Sequence, residues 1–155
     1  MKHKNILVIY DSQFGNTKVI AESIAEGAGA QCKHVADVTH QDVEVADLLV
    51  IGCPTQGGRA TVAIQNWISS IPDHLIRNHH FVSFDTRFSE QKVNAALRLL
   101  IKTFGYAGPR ISETLQNMGG IPLLPAEGFI VLGKEGPLLD GEIDRAKNWL
   151  KNINS

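Results

Sequence analysis

The residues best suited to chemistry lie between a short apolar run, Ile6 to Ile9, and a helix-like stretch: Asp11-Ser12-Gln13-Phe14-Gly15-Asn16-Thr17. Hydroxyls and amides surround one glycine, and no basic residue stands among them. Ser12, Asn16 and Thr17, with backbone N–H groups at a helix start, form a set that binds a phosphate through neutral donors and the helix dipole. Gly15 permits close backbone approach or a positive φ. Other phosphate loops do not fit. A P-loop needs two glycines followed by Lys-Ser/Thr, and a dinucleotide fingerprint needs G-x-G-x-x-G. The same residues also suit a plain capped turn, because Ser, Asn and Thr favour helix starts.

Two further segments follow apolar runs. Cys53-Pro54-Thr55-Gln56-Gly57-Gly58-Arg59 leaves the run Leu48 to Cys53. Pro54 stops a strand there, and the Gly57-Gly58 pair lets backbone amides approach a flat ring edge. An ordinary glycine-rich turn has the same composition. Read as C-x5-R, the segment also offers a thiolate nucleophile at Cys53 and an oxyanion clamp at Arg59, the parts of a cysteine-dependent phosphatase. That reading lacks the preceding His and leaves residues 11–17 unused. Asp85-Thr86-Arg87-Phe88 follows the run at 80–84, with polar groups and one ring at a strand exit. A metal site at His79-His80 is not expected, because adjacent strand residues face opposite ways and no further ligand cluster accompanies them.

These segments need a scaffold, and the rest of the chain describes one. Residues 5–10, 46–53, 80–84 and 128–132 are mainly apolar, as strands covered on both faces are, and 121–124 could form the first half of the last strand. The weaker 30–38 belongs at an edge. Between them lie helical stripes. One runs from Thr17 to Glu26 and stops at Gly27; another is Ile64, Trp67, Ile68 and Ile71 before Pro72. A third, Val93, Leu97, Leu100, Ile101 and Phe104, is entered through Ser89, and Pro109 opens a short helix that ends at Gly119-Gly120. The last is Ile143, Ala146, Leu150 and Ile153, with Trp67 and Trp149 expected to pack rather than stack on a ligand. Alternating strands and helices imply an α/β fold, an open doubly wound parallel sheet.

With 155 residues, 43% of them apolar and 20% charged, the chain suits one domain with a proper core. A net charge of −1 gives no basic field for nucleic acid or an anionic membrane surface. The apolar start is too short for a signal segment, and no stretch is long enough to span a bilayer. Two cysteines, Cys32 and Cys53, form no disulfide framework and suit a reducing cytoplasm.

The first segment resembles the phosphate loop of the flavodoxin family, Ser/Thr-x-Thr/Ser-Gly-x-Thr, which holds the phosphate of flavin mononucleotide (FMN). It departs at Phe14, where a hydroxyl is usual. Residues 46–61 resemble the family's second flavin loop, and 82–88 its third; the tail 133–150 is also similar to small flavodoxin-like proteins. The resemblance covers the chain except about 89–108, which looks like an added amphipathic helix. It implies a five-stranded sheet of order 2-1-3-4-5, whose first and third strands flank one crevice; flavodoxins are themselves a standing illustration of that ligand-site rule. It further implies that FMN is held by Ser12, Gln13, Phe14, Gly15, Asn16 and Thr17 at the phosphate, and by Pro54, Thr55, Gln56, Gly57, Gly58 and Arg59 along the ring edge. Asp85, Thr86, Arg87 and Phe88 complete the set, with Phe88 as the stacking ring. A carbonyl at Gly57 or Gly58 would accept the hydrogen bond from reduced flavin N5.

No side chain need act as acid or nucleophile, since the flavin supplies the redox chemistry. The implied function is electron transfer to a redox partner protein or small acceptor, by a cytoplasmic monomer or weak homodimer. Two departures keep alternatives in view: the chain is nearly neutral where carrier flavodoxins are acidic, and its second loop lacks an aromatic. An FMN-dependent NAD(P)H/quinone-type reductase would use Arg59 or Arg87 to stabilise anionic reduced flavin or to receive a nicotinamide phosphate. A flavodoxin-like scaffold without FMN is the third reading. A response-regulator receiver is excluded, because Asp11 stands alone and the third strand ends in Gly-Cys-Pro.

Overall fold

A computed structural model describes residues 3–89, 94–96, 98–99 and 105–154. Five buried apolar residues form β1 (Ile6–Tyr10), an interior strand of a parallel sheet. On one side it pairs with β2 (Gln31–His34) and on the other with β3 (Leu48–Pro54), so that Val8 meets both Cys32 and Val50. Next comes β4 (His80–Phe88), giving the order expected from the resemblance. The fifth position is split. β5 (Ile121–Pro122) pairs with the start of β4 and β6 (Glu127–Val131) with its end, as the two apolar segments 121–124 and 128–132 suggested.

Alternation along the buried strands sends side chains to two cores. Leu7, Ile9, Leu49, Ile51 and Phe81 face one way, against Ile64 and Ile68 of α3 (Val62–Ser70) and Ile111 and Leu115 of α5 (Ala107–Asn117). Val8, Val50, Val82 and Phe84 face the other way, against Ile20 and Ile24 of α1 (Asn16–Ala28) and Ala146 of α6 (Glu142–Trp149). Between these, α2 (His40–Val45) is started by a capping box of Thr39 and Asp42, and α4 (Asp73–Ile76) is a single turn. The edge segment thus ends as a strand at His34 and not at Val38.

Helix α1 also runs past its expected stop. Gly27 lies inside it, and glycine is needed there because a Cβ would stand 1.8 Å from the Lys147 carbonyl oxygen. The cap is Gly29, with φ 65°. In α6 the expected stripe is shifted: Ile143 is 41% exposed, and Glu142 is buried in its place. Burial pushes the Glu142 carboxyl up, but the Arg145 guanidinium and the Ile130 N–H outweigh it and hold the pKa below the usual range. That carboxylate fastens α6 to β6. Trp67 packs against the α3 side of the core, and Trp149 meets Phe84 and Phe129 edge-on. The stripe residues Val93, Leu97, Leu100, Ile101 and Phe104 lie outside the described residues, while 95–96 and 98–99 between them are helical. Among those described, no helix is long and apolar enough to cross a membrane.

Candidate functional site

The carboxyl ends of β1, β3, β4 and β6 surround a cleft of about 660 Å³. Its first wall is the turn into α1. Gly15 caps that helix at φ 94°, a conformation that leaves little room for any other residue. Ser12 Oγ accepts the N–H groups of Gly15 and Lys18 at 3.1 and 3.3 Å, so the hydroxyl braces the turn from within. The Thr17 hydroxyl is buried and shares a 2.8 Å hydrogen bond with Thr86, joining the first wall to the third. By contrast, the N–H groups of Phe14, Asn16 and Thr17 meet no acceptor among the described residues. They form a neutral donor cradle at a helix start, the chemistry a phosphate monoester requires. Phe14 lines the cleft at its rim and is 42% exposed.

The second wall is a tight hairpin. Gln56 and Arg59 exchange two backbone hydrogen bonds, at 2.9 and 3.0 Å, across Gly57 and Gly58. Both glycines have positive φ, 57° and 77°, which a two-residue turn of this hand demands. Thr55 is held by its N–H to the Thr86 carbonyl and by its Oγ1 to the Ala107 N–H. Gln56 Nε2 donates to Gln13 Oε1 at 2.6 Å, linking the second wall to the first. Pro54 and Arg59 complete this side.

Cys53 lies beneath this wall and is fully buried. Burial pushes its thiol up to about 12, so no thiolate forms near neutral pH and no phosphate ester can reach the sulfur. The phosphatase reading of Cys53 and Arg59 is therefore overturned; Arg59 lines the cleft, and the sulfur does not.

In the third wall Thr86, Arg87 and Phe88 reach the cleft, but Asp85 does not. Its carboxylate is fully buried and accepts the Arg87 fork, Nε and Nη2 at 2.7 and 2.6 Å, plus the Gly108 N–H at 2.9 Å. The polar contact expected from Asp85 at the flavin edge is thus spent inside the protein. Arg87 then lies flat, its guanidinium carbon 3.5 Å from the Tyr106 ring centroid. Gly128 makes the space, since a Cβ there would come within 2.2 Å of Arg87 Nε.

Sequence reading missed Gly105, Tyr106, Val131 and Lys134, which also line the cleft. The available signal was Gly105-Tyr106 just before a helix start, but it lies beyond the segment that ended at Phe88. Lys134 arrives through the turn after β6, which packs on Asn16: a Cβ at Gly136 would stand 2.7 Å from Asn16 Oδ1. At the amino ends of the strands His80 Nδ1 pairs with His3 Nε2 and His79 with backbone carbonyls; among the described residues no cluster of three or more metal-type ligands occurs.

Comparison with known proteins agrees with this geometry. A family model described as flavodoxin matches residues 8–149, so the chain belongs to the flavodoxin family. Over 72 residues it is 39% identical to a flavodoxin of Aquifex aeolicus; the match covers 43% of this chain and only 39% of that protein. A flavodoxin structure from the Archaea superposes with a TM-score of 0.69 at 19% identity, covering 93% of this chain and 92% of that one. Rubredoxin oxygen:oxidoreductase of Desulfovibrio gigas superposes with a TM-score of 0.70 at 16% identity, over 97% of this chain but 35% of the larger one. At these identities the superpositions show the fold alone. FMN is the cofactor of the family, and the donor cradle at Phe14, Asn16 and Thr17 offers the neutral N–H groups that suit its phosphate.

Proposed function

We propose that this protein is an electron carrier that holds one FMN without a covalent bond. The observation that carries the reading is the donor cradle at Phe14, Asn16 and Thr17, opening into a cleft at the carboxyl ends of adjacent parallel strands. The phosphate end sits on residues 12–17, and the ring end lies between the 54–59 hairpin and the wall of Thr86, Arg87, Phe88 and Tyr106. When bound, the flavin supplies the one- and two-electron chemistry. The chain positions it, excludes water from one side and offers peptide groups at Gly57 and Gly58 to its edge. No side chain is needed as acid, base or nucleophile.

The same reading makes the chain one domain, a monomer or weak homodimer, working in the cytoplasm with a partner protein or small acceptor. The test is titration of FMN with fluorescence quenching as the readout. Saturable quenching, weakened by substitution at Gly15 or Thr17, supports it; no quenching leaves a flavodoxin-like scaffold. A second reading, an FMN-dependent reductase of quinones, is favoured by Arg59, a cation in the cleft with no ion-pair partner among the described residues. Reduction of the loaded protein by NAD(P)H alone, passed on to a quinone, selects that reading over the carrier.

A further inference from the structure

The turn that opens α1 offers a phosphate hydrogen-bond donors but no basic side chain. Ser12 Oγ already accepts the Gly15 and Lys18 N–H groups, and the Thr17 hydroxyl is shared with Thr86. Phe14 supplies a ring where the family usually has a hydroxyl. A phosphate monoester is close to dianionic at neutral pH. Neutral N–H groups and the helix dipole can hold it, and a cation within reach adds a Coulomb attraction that they lack.

The fold decides which cation is within reach. Lys18 lies on α1 itself, but it pairs with Glu22 at 3.9 Å and does not line the cleft. Arg87 has its fork on the Asp85 carboxylate and its plane on Tyr106. Arg59 belongs to another wall, the hairpin after β3. Lys134 comes from the turn after β6, and that turn is seated on the cradle. A Cβ at Gly136 would stand 2.7 Å from Asn16 Oδ1 and 2.9 Å from its Nδ2.

This turn is closed by its own backbone. The Gly136 N–H donates to the Gly133 carbonyl at 3.0 Å, and the Leu132 N–H to the Pro137 carbonyl at 2.8 Å. Lys134 and Glu135 therefore occupy the two central positions of a four-residue turn. The turn sorts them: Lys134 lines the cleft with Ser12, Asn16 and Thr17, and Glu135 does not. Lys134 makes no ion pair with any described residue. The cleft thus receives the ammonium without the neighbouring carboxylate.

We propose that Lys134 is a phosphate-binding residue of this protein, an ammonium brought by the turn after β6 to the monoester end of the cleft. Through it the chain tells FMN from riboflavin by charge as well as by hydrogen bonds. This rests on the FMN reading above.

The experiment titrates the full chain, freed of flavin, with FMN and in parallel with riboflavin, which has the same ring and ribityl chain but no phosphate. Fluorescence quenching reads both. Wild-type affinity for FMN should fall as salt rises, while that for riboflavin holds. Lys134→Gln should weaken FMN about fivefold at low ionic strength, leave riboflavin unchanged and flatten the salt dependence. Lys134→Arg keeps the charge and should restore most of the FMN affinity. Inorganic phosphate gives a readout without flavin: it should raise the melting temperature of the wild-type chain more than that of Lys134→Gln. Lys151→Gln is the control. It lies on the tail whose Asn154 bonds His3 ahead of β1, at the amino ends of the strands, and should change none of these values.

Equal weakening of FMN and riboflavin by Lys134→Gln would mean that the residue only shapes the turn. Unchanged FMN affinity, or an equal response to inorganic phosphate, would mean that the cradle works without it. Each of these overturns the inference, and so does wild-type FMN binding that ignores salt, even if the variants fail to fold. A wild-type chain that binds no FMN is a separate result, which removes the reading on which the inference stands.

Discussion

The two ends of the cleft, proposed to take the phosphate and the ring of FMN, are built differently. At residues 12–17 the working groups are peptide N–H donors, and the side chains either brace the turn, as Ser12 does, or tie it to a neighbour, as Thr17 does. At the ring end the walls are held by side-chain charge, with Asp85 buried under Arg87 and Arg87 laid on Tyr106. A backbone cradle depends on conformation, so one wrong φ disables it. A charged wall depends on pairing, so one missing partner leaves the other exposed to the cost of burial. The two ends should therefore fail in different ways.

The largest effect is expected at the ring end. Arg87→Ala leaves the buried Asp85 carboxylate with the Gly108 N–H as its remaining partner, which should cost about 3 kcal/mol of stability in urea unfolding. Arg87→Lys should recover only part of this, because an ammonium cannot make the two-pronged contact or lie flat on Tyr106. Full recovery by lysine would mean that charge alone holds the wall. Gly15→Val strikes the other end. Forcing a β-branched residue to φ 94° should cost about 1–2 kcal/mol and weaken FMN roughly tenfold or more in a quenching titration. Unchanged FMN affinity there would show that the cradle does not carry the phosphate.

A smaller effect is expected away from the cleft, at the clasp holding α6. Because the folded pKa of Glu142 is depressed, its ionised form contributes stability above the ordinary carboxylate range near pH 4.5, and this is lost as pH falls through the lower folded value. Glu142→Gln should be less stable than the parent by about 1 kcal/mol at pH 7, with the difference closing in thermal melts as pH falls below the ordinary carboxylate range. The smallest effect is a null one. Cys53 should resist iodoacetamide in the native protein at pH 7.5 and react only on unfolding, since burial keeps it a thiol.

The two ends also differ in how far the sequence revealed them. Ser12 to Thr17 are contiguous, and their types describe a helix start with neutral donors, so the turn was legible at once, although a plain capped turn has the same composition. Gly57 and Gly58 were equally clear, because two adjacent glycines between a strand and a helix need a tight turn. The ring end was only half visible. Asp85 was expected to face the ligand but is turned inward by its ion pair, and Tyr106 was not foreseen at all. Gly27 was taken for a helix stop, although its role is to admit Lys147 from the other end of the chain.

The sequence alone determined the succession of strands and helices, the two apolar halves of the last strand and the turn into the first helix, because each is set by residues close together in the chain. Hydrophobic period, turn chemistry and helix starts are local properties, and they act before any tertiary contact exists. Only the tertiary structure decided which charges remain unpaired, which ring lines the cleft and which cysteine is out of reach. Those properties belong to groups brought together across the fold, Arg87 with Tyr106 and Gly128, or Lys134 with Arg59, and no single stretch of the chain contains both partners.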